Sequence, residues 1–243
     1  MANIFFQFKK FKVEQSKSAL KVCTDACLFG ALISAEIQNL KFKIQNILDI
    51  GSGTGLLMLM LAQKCSAKIS GVEIDEPSYK ESKENIEDSP WKERLNVQHI
   101  PVQQFNDSTG QPFDLIISNP PFFENDLRSL STKKNISKHD ESLKLDELLN
   151  SIDKLLSKQG LFAVLLPYHR TEYFISLCAE RSFYIQEKVF VRQTPKHDPF
   201  RTIIIASRGV ENNSSERTIT IKDENDKYTP EFTELLKDYY LYL

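Results

Sequence analysis

Ile47-Leu48-Asp49-Ile50-Gly51-Ser52-Gly53-Thr54-Gly55-Leu56-Leu57 is an apolar run, a turn with glycine at every second position, and the opening of a second apolar stretch. A short β-branched run that stops at glycine predicts a strand, and the apolar stretch beyond predicts a helix. Alternate glycines let the backbone turn sharply and approach a ligand closely, and the first amides of the helix then point at that ligand. The spacing is not the G-x-G-x-x-G of dinucleotide binding, and no Lys-Ser/Thr pair follows as in a nucleotide P-loop. Asp49, just before the turn, would repel a pyrophosphate but suits a cationic amine.

Outward from this loop, short apolar runs alternate with longer amphipathic segments, the pattern of βαβ units and a parallel sheet. Strands are predicted over Asn46–Ile50, Lys68–Glu73, Leu95–Ile100, Phe113–Ser118 and Gly160–Leu166. Tyr184–Arg192 and Arg201–Ser207 read as an antiparallel hairpin around a loop with two prolines. Helices are predicted over Leu56–Lys64, Glu76–Glu87, Leu143–Leu156 and Tyr168–Arg181, with another over Cys27–Ile37. The expected fold is α/β: a seven-stranded, mostly parallel sheet with a closing antiparallel hairpin. One domain is expected, with residues 1–45 covering the site, 46–208 forming the core, and 209–243 adding a short strand (Thr218–Ile221) and a helix from about Pro230. Residues 123–142 form a long polar connection of the kind that is usually functional.

The chain has 243 residues, is 41% apolar, and carries a net charge of −2. That balance excludes nucleic-acid binding through bulk positive charge and leaves room only for a local basic patch. Two such patches exist: Lys9, Lys10, Lys12, Lys17 and Lys21 against the single acid Glu14, and Arg128, Lys133, Lys134 and Lys138 with no acid among them. No run is long enough to span a membrane, and the N-terminus lacks a secretory signal pattern. Cys23, Cys27, Cys65 and Cys178 are scattered, read as reduced thiols of a cytoplasmic protein, and form no expected metal site. A monomer is expected.

A second acid, Glu73, ends the strand after the glycine turn, where a carboxylate can take both hydroxyls of a ribose. Together these residues resemble the cofactor site of the Rossmann-like (class I) methyltransferases. The resemblance implies that Asp49, Gly51, Ser52, Gly53 and Gly55 hold the methionine part of S-adenosylmethionine, and that Glu73 and Ile74 meet its nucleoside. The next strand departs from the pattern: Pro101 stands where an acid usually bonds the cofactor's adenine, which leaves Gln103 or backbone groups for that role.

Asn119-Pro120-Pro121-Phe122 follows the predicted strand Phe113–Ser118, at the strand end where open α/β sheets bind ligands. Two prolines remove two N–H donors and leave carbonyls that only accept. The Asn119 side-chain oxygen and the Pro120 carbonyl are thus a pair of acceptors for a planar NH₂ group. Phe122 offers a face on which a base can stack. The motif resembles that of amino-methyltransferases acting on adenine N6, cytosine N4, guanine N2 or protein glutamine. Asn119, Pro120 and Phe122 are therefore the catalytic candidates, with Asn119 also touching cofactor and Pro121 and Phe122 touching substrate.

The flanks narrow the resemblance. Phe8–Gln15, Leu20–Gly30, Phe113–Phe123, Lys138-His139-Asp140 and Tyr228–Phe232 are similar to the bacterial valine-tRNA adenine-N6 methyltransferases over nearly the whole chain. That implies S-adenosylmethionine as cofactor and adenine 37 of a tRNA anticodon loop as target. Lys9, Lys10, Lys12, Lys133, Lys134 and Lys138 are candidates for its phosphates. Phe5, Phe6, Phe8 and Phe11, interleaved with lysines, fit either stacking on RNA or the buried aromatic face of an N-terminal strand. The alternatives are guanine-N2 methylation of ribosomal RNA and glutamine-N5 methylation of a release factor. The latter normally has a helical N-terminal domain, and the 45 residues ahead of the first core strand are too few for one.

Overall fold

In a computed structural model of the protein, described over residues 3–18, 21–40, 42–106, 110–121, 144–209 and 214–243, the glycine turn sits at the centre of one large sheet. An N-terminal hairpin, β1 (Phe5–Gln7) and β2 (Lys12–Glu14), comes first, then α1 (Thr24–Asn39). The sheet and its helices follow as β3 (Asn46–Ile50), α2 (Leu56–Lys64), β4 (Lys68–Glu73), α3 (Glu76–Glu87), β5 (Leu95–His99) and β6 (Phe113–Ser118). They continue as α4 (Leu145–Leu155), β7 (Leu156–Pro167), α5 (Thr171–Glu180), β8 (Phe183–Arg192), β9 (Arg201–Arg208), β10 (Ser215–Thr220) and α6 (Pro230–Leu236).

The strand order is β10-β8-β9-β7-β6-β3-β4-β5. From β7 to β5 all neighbours are parallel, and β9 runs antiparallel to both β7 and β8. Successive parallel strands drop opposite faces into separate apolar layers. Ile47, Leu115, Ile117 and Ala163 pack with α1 and α2, while Leu48, Ile50, Ile116 and Val164 pack with α4 and α5. Among the described residues no helix is long and apolar enough to cross a membrane.

Two expectations need correction. The sheet has eight strands, not seven, because β10 joins the edge in parallel with β8 from Ser215↔Glu187 to Thr220↔Arg192. Its sequence, Ser-Glu-Arg-Thr-Ile-Thr, buries only Ile219, so apolar alternation is nearly silent there. The ladder and the cross-strand pairs Arg217–Glu187 (2.8 Å) and Lys188–Glu216 secure it instead. Likewise β7 starts at Leu156, inside the predicted helix. Gly160 permits this early start, since a Cβ there would lie 2.7 Å from Leu156 and 3.0 Å from the Phe113 carbonyl.

The N-terminal hairpin has only three residues per strand, and such a ribbon is marginal alone. Its aromatics fix it. Phe8 is fully buried and Phe11 nearly so, their rings stack at 4.4 Å, and Phe11 meets Trp91 edge-on at 5.8 Å. Each such burial contributes ~1.5–3 kcal/mol. Of the two readings of this segment, the buried face holds for Phe8 and Phe11, which have no surface to offer RNA. Phe5 remains 44% exposed.

Candidate active site

The glycine turn is built by backbone geometry. Gly51, Gly53 and Gly55 have φ of 72°, 54° and 80°, the left-handed region that only glycine enters freely. A Cβ on Gly51 or Gly53 would meet nothing within 4 Å, so open space lies over the loop, whereas one on Gly55 would run into Ser82 at 2.7 Å. The amides of Gly51 and Ser52 donate to the Val72 carbonyl, which pins the loop to the end of β4.

Asp49 lies under this loop, paired across the ladders with Gly71 and Ile117, and is fully buried. Neither of its carboxylate oxygens has a hydrogen-bond partner, and the Ser52 hydroxyl beside the loop lacks one too. Burial, reinforced by the negative charge of Glu73, pushes the Asp49 carboxyl up to about 8. A buried carboxylate with empty lone pairs is costly unless something cationic or proton-donating completes it.

Glu73, at the end of β4, is almost buried. It accepts from the Gly53 amide at 2.7 Å and the Asp75 amide at 2.8 Å, so the ribose-type acid is tied directly to the glycine turn. Burial raises its carboxyl from the usual range while those amide bonds oppose the rise. Ile74, next in sequence, is 53% exposed, an apolar surface beside the acid. Gln103 stands on a one-turn helix after Pro101, and its amide donates to Glu147 of α4 at 3.2 Å.

The Ser118 hydroxyl donates to the Ile50 carbonyl at 2.8 Å, and these two residues are partners in the β3–β6 ladder. Asn119 therefore leaves β6 alongside Gly51. Pro120 is buried and Pro121 half-buried just beyond. Phe122, Lys133, Lys134, Lys138 and His139 lie outside the described residues. Of the N-terminal lysines, Lys12 pairs with Glu14 at 2.6 Å, Lys9 donates to the Lys237 carbonyl, and Lys10 is exposed.

The helix expected over Glu76–Glu87 is present, but sequence reasoning missed two of its side chains, which bind the N-terminal segment to this site. On α3, Glu81 is fully buried and accepts from the Lys17 amide (2.6 Å), the Ser18 amide (2.8 Å) and the hydroxyls of Ser16 and Ser18. One turn on, Asn85 accepts from the Glu14 amide and donates to the carbonyls of Glu14 and Thr54. The N-terminal hairpin and the glycine turn thus share one side chain. The available signal was spacing: Ser78, Glu81, Ser82 and Asn85 line the buried side of a helix with little apolar content.

An orphaned buried carboxylate, a glycine loop with open space above it, and a second acid at the next strand end fit the ammonium and ribose of S-adenosylmethionine. The fold and this site define a Rossmann-like S-adenosylmethionine-dependent methyltransferase. The model of the methyltransferase small domain matches residues 31–148. A crystal structure described as a predicted O-methyltransferase, protein Atu636 from Agrobacterium tumefaciens, superposes with a TM-score of 0.62 over 87% of this chain and 95% of that one at 15% identity, a likeness of fold. The chain is 37% identical to the tRNA1(Val) (adenine(37)-N6)-methyltransferase of Parabacteroides distasonis over 99% of each chain. It is 35% identical to the enzyme of the same name from Flavobacterium psychrophilum, over 97% of this chain and 99% of that one. The chain belongs to the tRNA1(Val) (adenine(37)-N6)-methyltransferase family.

Proposed function

We propose that this chain, acting as a cytoplasmic monomer, methylates N6 of adenine 37 in the anticodon loop of a valine tRNA. The observation that carries the reading is the seating of Asn119-Pro120-Pro121 directly beside the glycine turn, fixed by the Ser118–Ile50 hydrogen bond. Family membership favours adenine in tRNA over guanine N2 or protein glutamine.

When bound, S-adenosylmethionine supplies a methyl group carried on a positively charged sulfur. Asp49, Ser52 and the turn Gly51–Gly55 hold the methionine part, with Asp49 as counter-ion to its ammonium. Glu73 takes the ribose hydroxyls, and Ile74 and Gln103 border the adenine. Asn119 Oδ1 and the Pro120 carbonyl accept the two amino hydrogens of the target adenine. That draws the nitrogen lone pair out of ring conjugation, aims it, and stabilises the positive charge that develops on nitrogen. Phe122 stacks on the base, which an anticodon loop yields more cheaply than a duplex does. The surplus proton passes to water, so the arrangement needs no general base. Lys9, Lys10, Lys12, Lys133, Lys134 and Lys138 are the proposed phosphate contacts.

The test is Asn119→Ala. Turnover on unmodified valine tRNA is expected to fall by ~10²–10³, while calorimetry finds S-adenosylmethionine bound within about threefold of wild type. Retained turnover would remove Asn119 from the reaction.

A further inference from the structure

The strands on one side of Asn119 do not stop where β6 stops. Ser118 pairs with Val164, and β7 continues to Pro167, about 10 Å further at the rise of a strand. Pro167 pairs with Arg201, so β9 and the β8–β9 loop rise with it. Asn119 and Pro120 therefore lie recessed below the ends of β7 and β9 on that side, at a depth suited to a base everted from its strand.

The rim of that recess has a definite chemistry. Tyr168, directly after β7, is 43% exposed, and Phe200, at the end of the β8–β9 loop, is 36% exposed. The Tyr168 amide donates to the Phe200 carbonyl at 3.1 Å, which joins the two turns. Arg192 ends β8, and the β8–β9 loop that follows carries Lys196 and His197 against one acid, Asp198. Arg201 is committed to Asp25, its Nε donating at 2.8 Å. Among the described residues Lys196 and Arg192 have no carboxylate partner; Arg192 donates to the Thr220 hydroxyl at 2.8 Å and to the Pro195 carbonyl at 3.5 Å. The loop is also preformed. His197 Nδ1 and the Thr194 hydroxyl lie 2.7 Å apart, the His197 amide donates to the Thr194 carbonyl, and Ile221 and Lys222 extend the β10 ladder onto Arg192 and Gln193. The turn after β10 bears Asp223, Glu224 and Asp226 with Lys222 and Lys227, and Lys222 pairs with Asp226 at 2.8 Å, so the basic excess of this end lies on the side of the β8–β9 loop.

We propose that this rim is the RNA-docking face beside the reaction centre: Arg192, Lys196 and His197 meet backbone phosphates, and Tyr168 and Phe200 stack against nucleotides flanking the everted base. Exposed aromatics next to cations not neutralised by a carboxylate are what unpaired RNA selects, and the recess explains why the flanking nucleotides must be held above it. This rests on the tRNA reading above and extends it to a surface on the opposite side of the motif from the glycine turn.

The experiment measures binding of unmodified valine tRNA between 50 and 200 mM KCl for wild type, Arg192→Ala/Lys196→Ala, Lys196→Glu and Tyr168→Ala, with melting and S-adenosylmethionine affinity as controls. For the double variant we expect affinity to fall at least about tenfold and the salt slope to shrink by roughly 1.4–1.8. Tyr168→Ala should lose about tenfold with the slope unchanged, and Lys196→Glu, on an exposed loop that tolerates substitution, should weaken binding without lowering the melting temperature. If wild type binds tRNA and every variant matches it, the face serves something else, such as an acidic protein, and the proposal fails. If wild type neither binds nor methylates the tRNA, the functional reading fails and takes the face with it.

Discussion

Two carboxylates are fully buried near the cofactor loop, and they are opposites. Glu81 on α3 accepts from two amides and two hydroxyls of residues 16–18. Burial works to raise its carboxyl, yet those bonds hold it below the ordinary range. Asp49 under the glycine turn accepts from nothing, and burial drives it up to about 8. The first acid is a clamp whose lone pairs are used by the fold. The second is left for a ligand, and the fold carries the cost of its desolvation, of order 1–3 kcal/mol for an unmade bond to a buried polar group.

The sharpest way to break this contrast is to neutralise the bare acid. Asp49→Asn should weaken S-adenosylmethionine binding by ~10²–10³ in calorimetry, because the ammonium loses its buried counter-ion. The same substitution should stabilise the unliganded protein. An acid whose folded value lies near 8, against 3.8 unfolded, contributes stability below about pH 4 and loses it as pH rises through 8. The melting advantage of Asp49→Asn should therefore be largest near pH 9 and shrink toward pH 5; a constant gap would show that Asp49 is not held protonated. Glu81→Ala should do the reverse and destabilise by ~1–3 kcal/mol or more at pH 7, since it strands buried amides. Because the Glu81 carboxyl is depressed, its contribution should persist at neutral pH and fade only in acid, which denaturant melts can follow. Gly53→Ala, at φ 54° with open space around it, should cost ~1 kcal/mol of stability and a larger share of cofactor affinity. Lys12→Ala, which removes a proposed phosphate contact that is shared with Glu14, should weaken tRNA binding by only about two- to fourfold and lower the salt slope by less than about one.

The glycine turn was legible because its chemistry is local: a strand, three positive-φ positions and two acids at adjacent strand ends are all written within Asn46–Glu73. The central parallel strands β3 and β6 were legible for the same reason, as nearly continuous apolar runs, and β5 as an alternating one. What stayed hidden is tertiary. Whether Phe8 and Phe11 face RNA or the core depends on Trp91 and Tyr240, which are remote in sequence. Glu81 and Asn85 look like ordinary surface polar residues of an acidic helix until the N-terminal segment is laid across them. A short strand was expected over Thr218–Ile221, but its start at Ser215 and its place at the sheet edge beside β8 rest on ladder bonds and ion pairs that leave no apolar period.

Labelled methyl transfer to valine tRNA transcripts identifies the target nitrogen. Wild-type protein with S-adenosylmethionine should label the unmodified transcript to about one methyl per molecule, recovered as N6-methyladenine, and should leave a transcript with guanine at position 37 unlabelled. Equal labelling of the two transcripts would mean that N6 of adenine 37 is not the methyl acceptor.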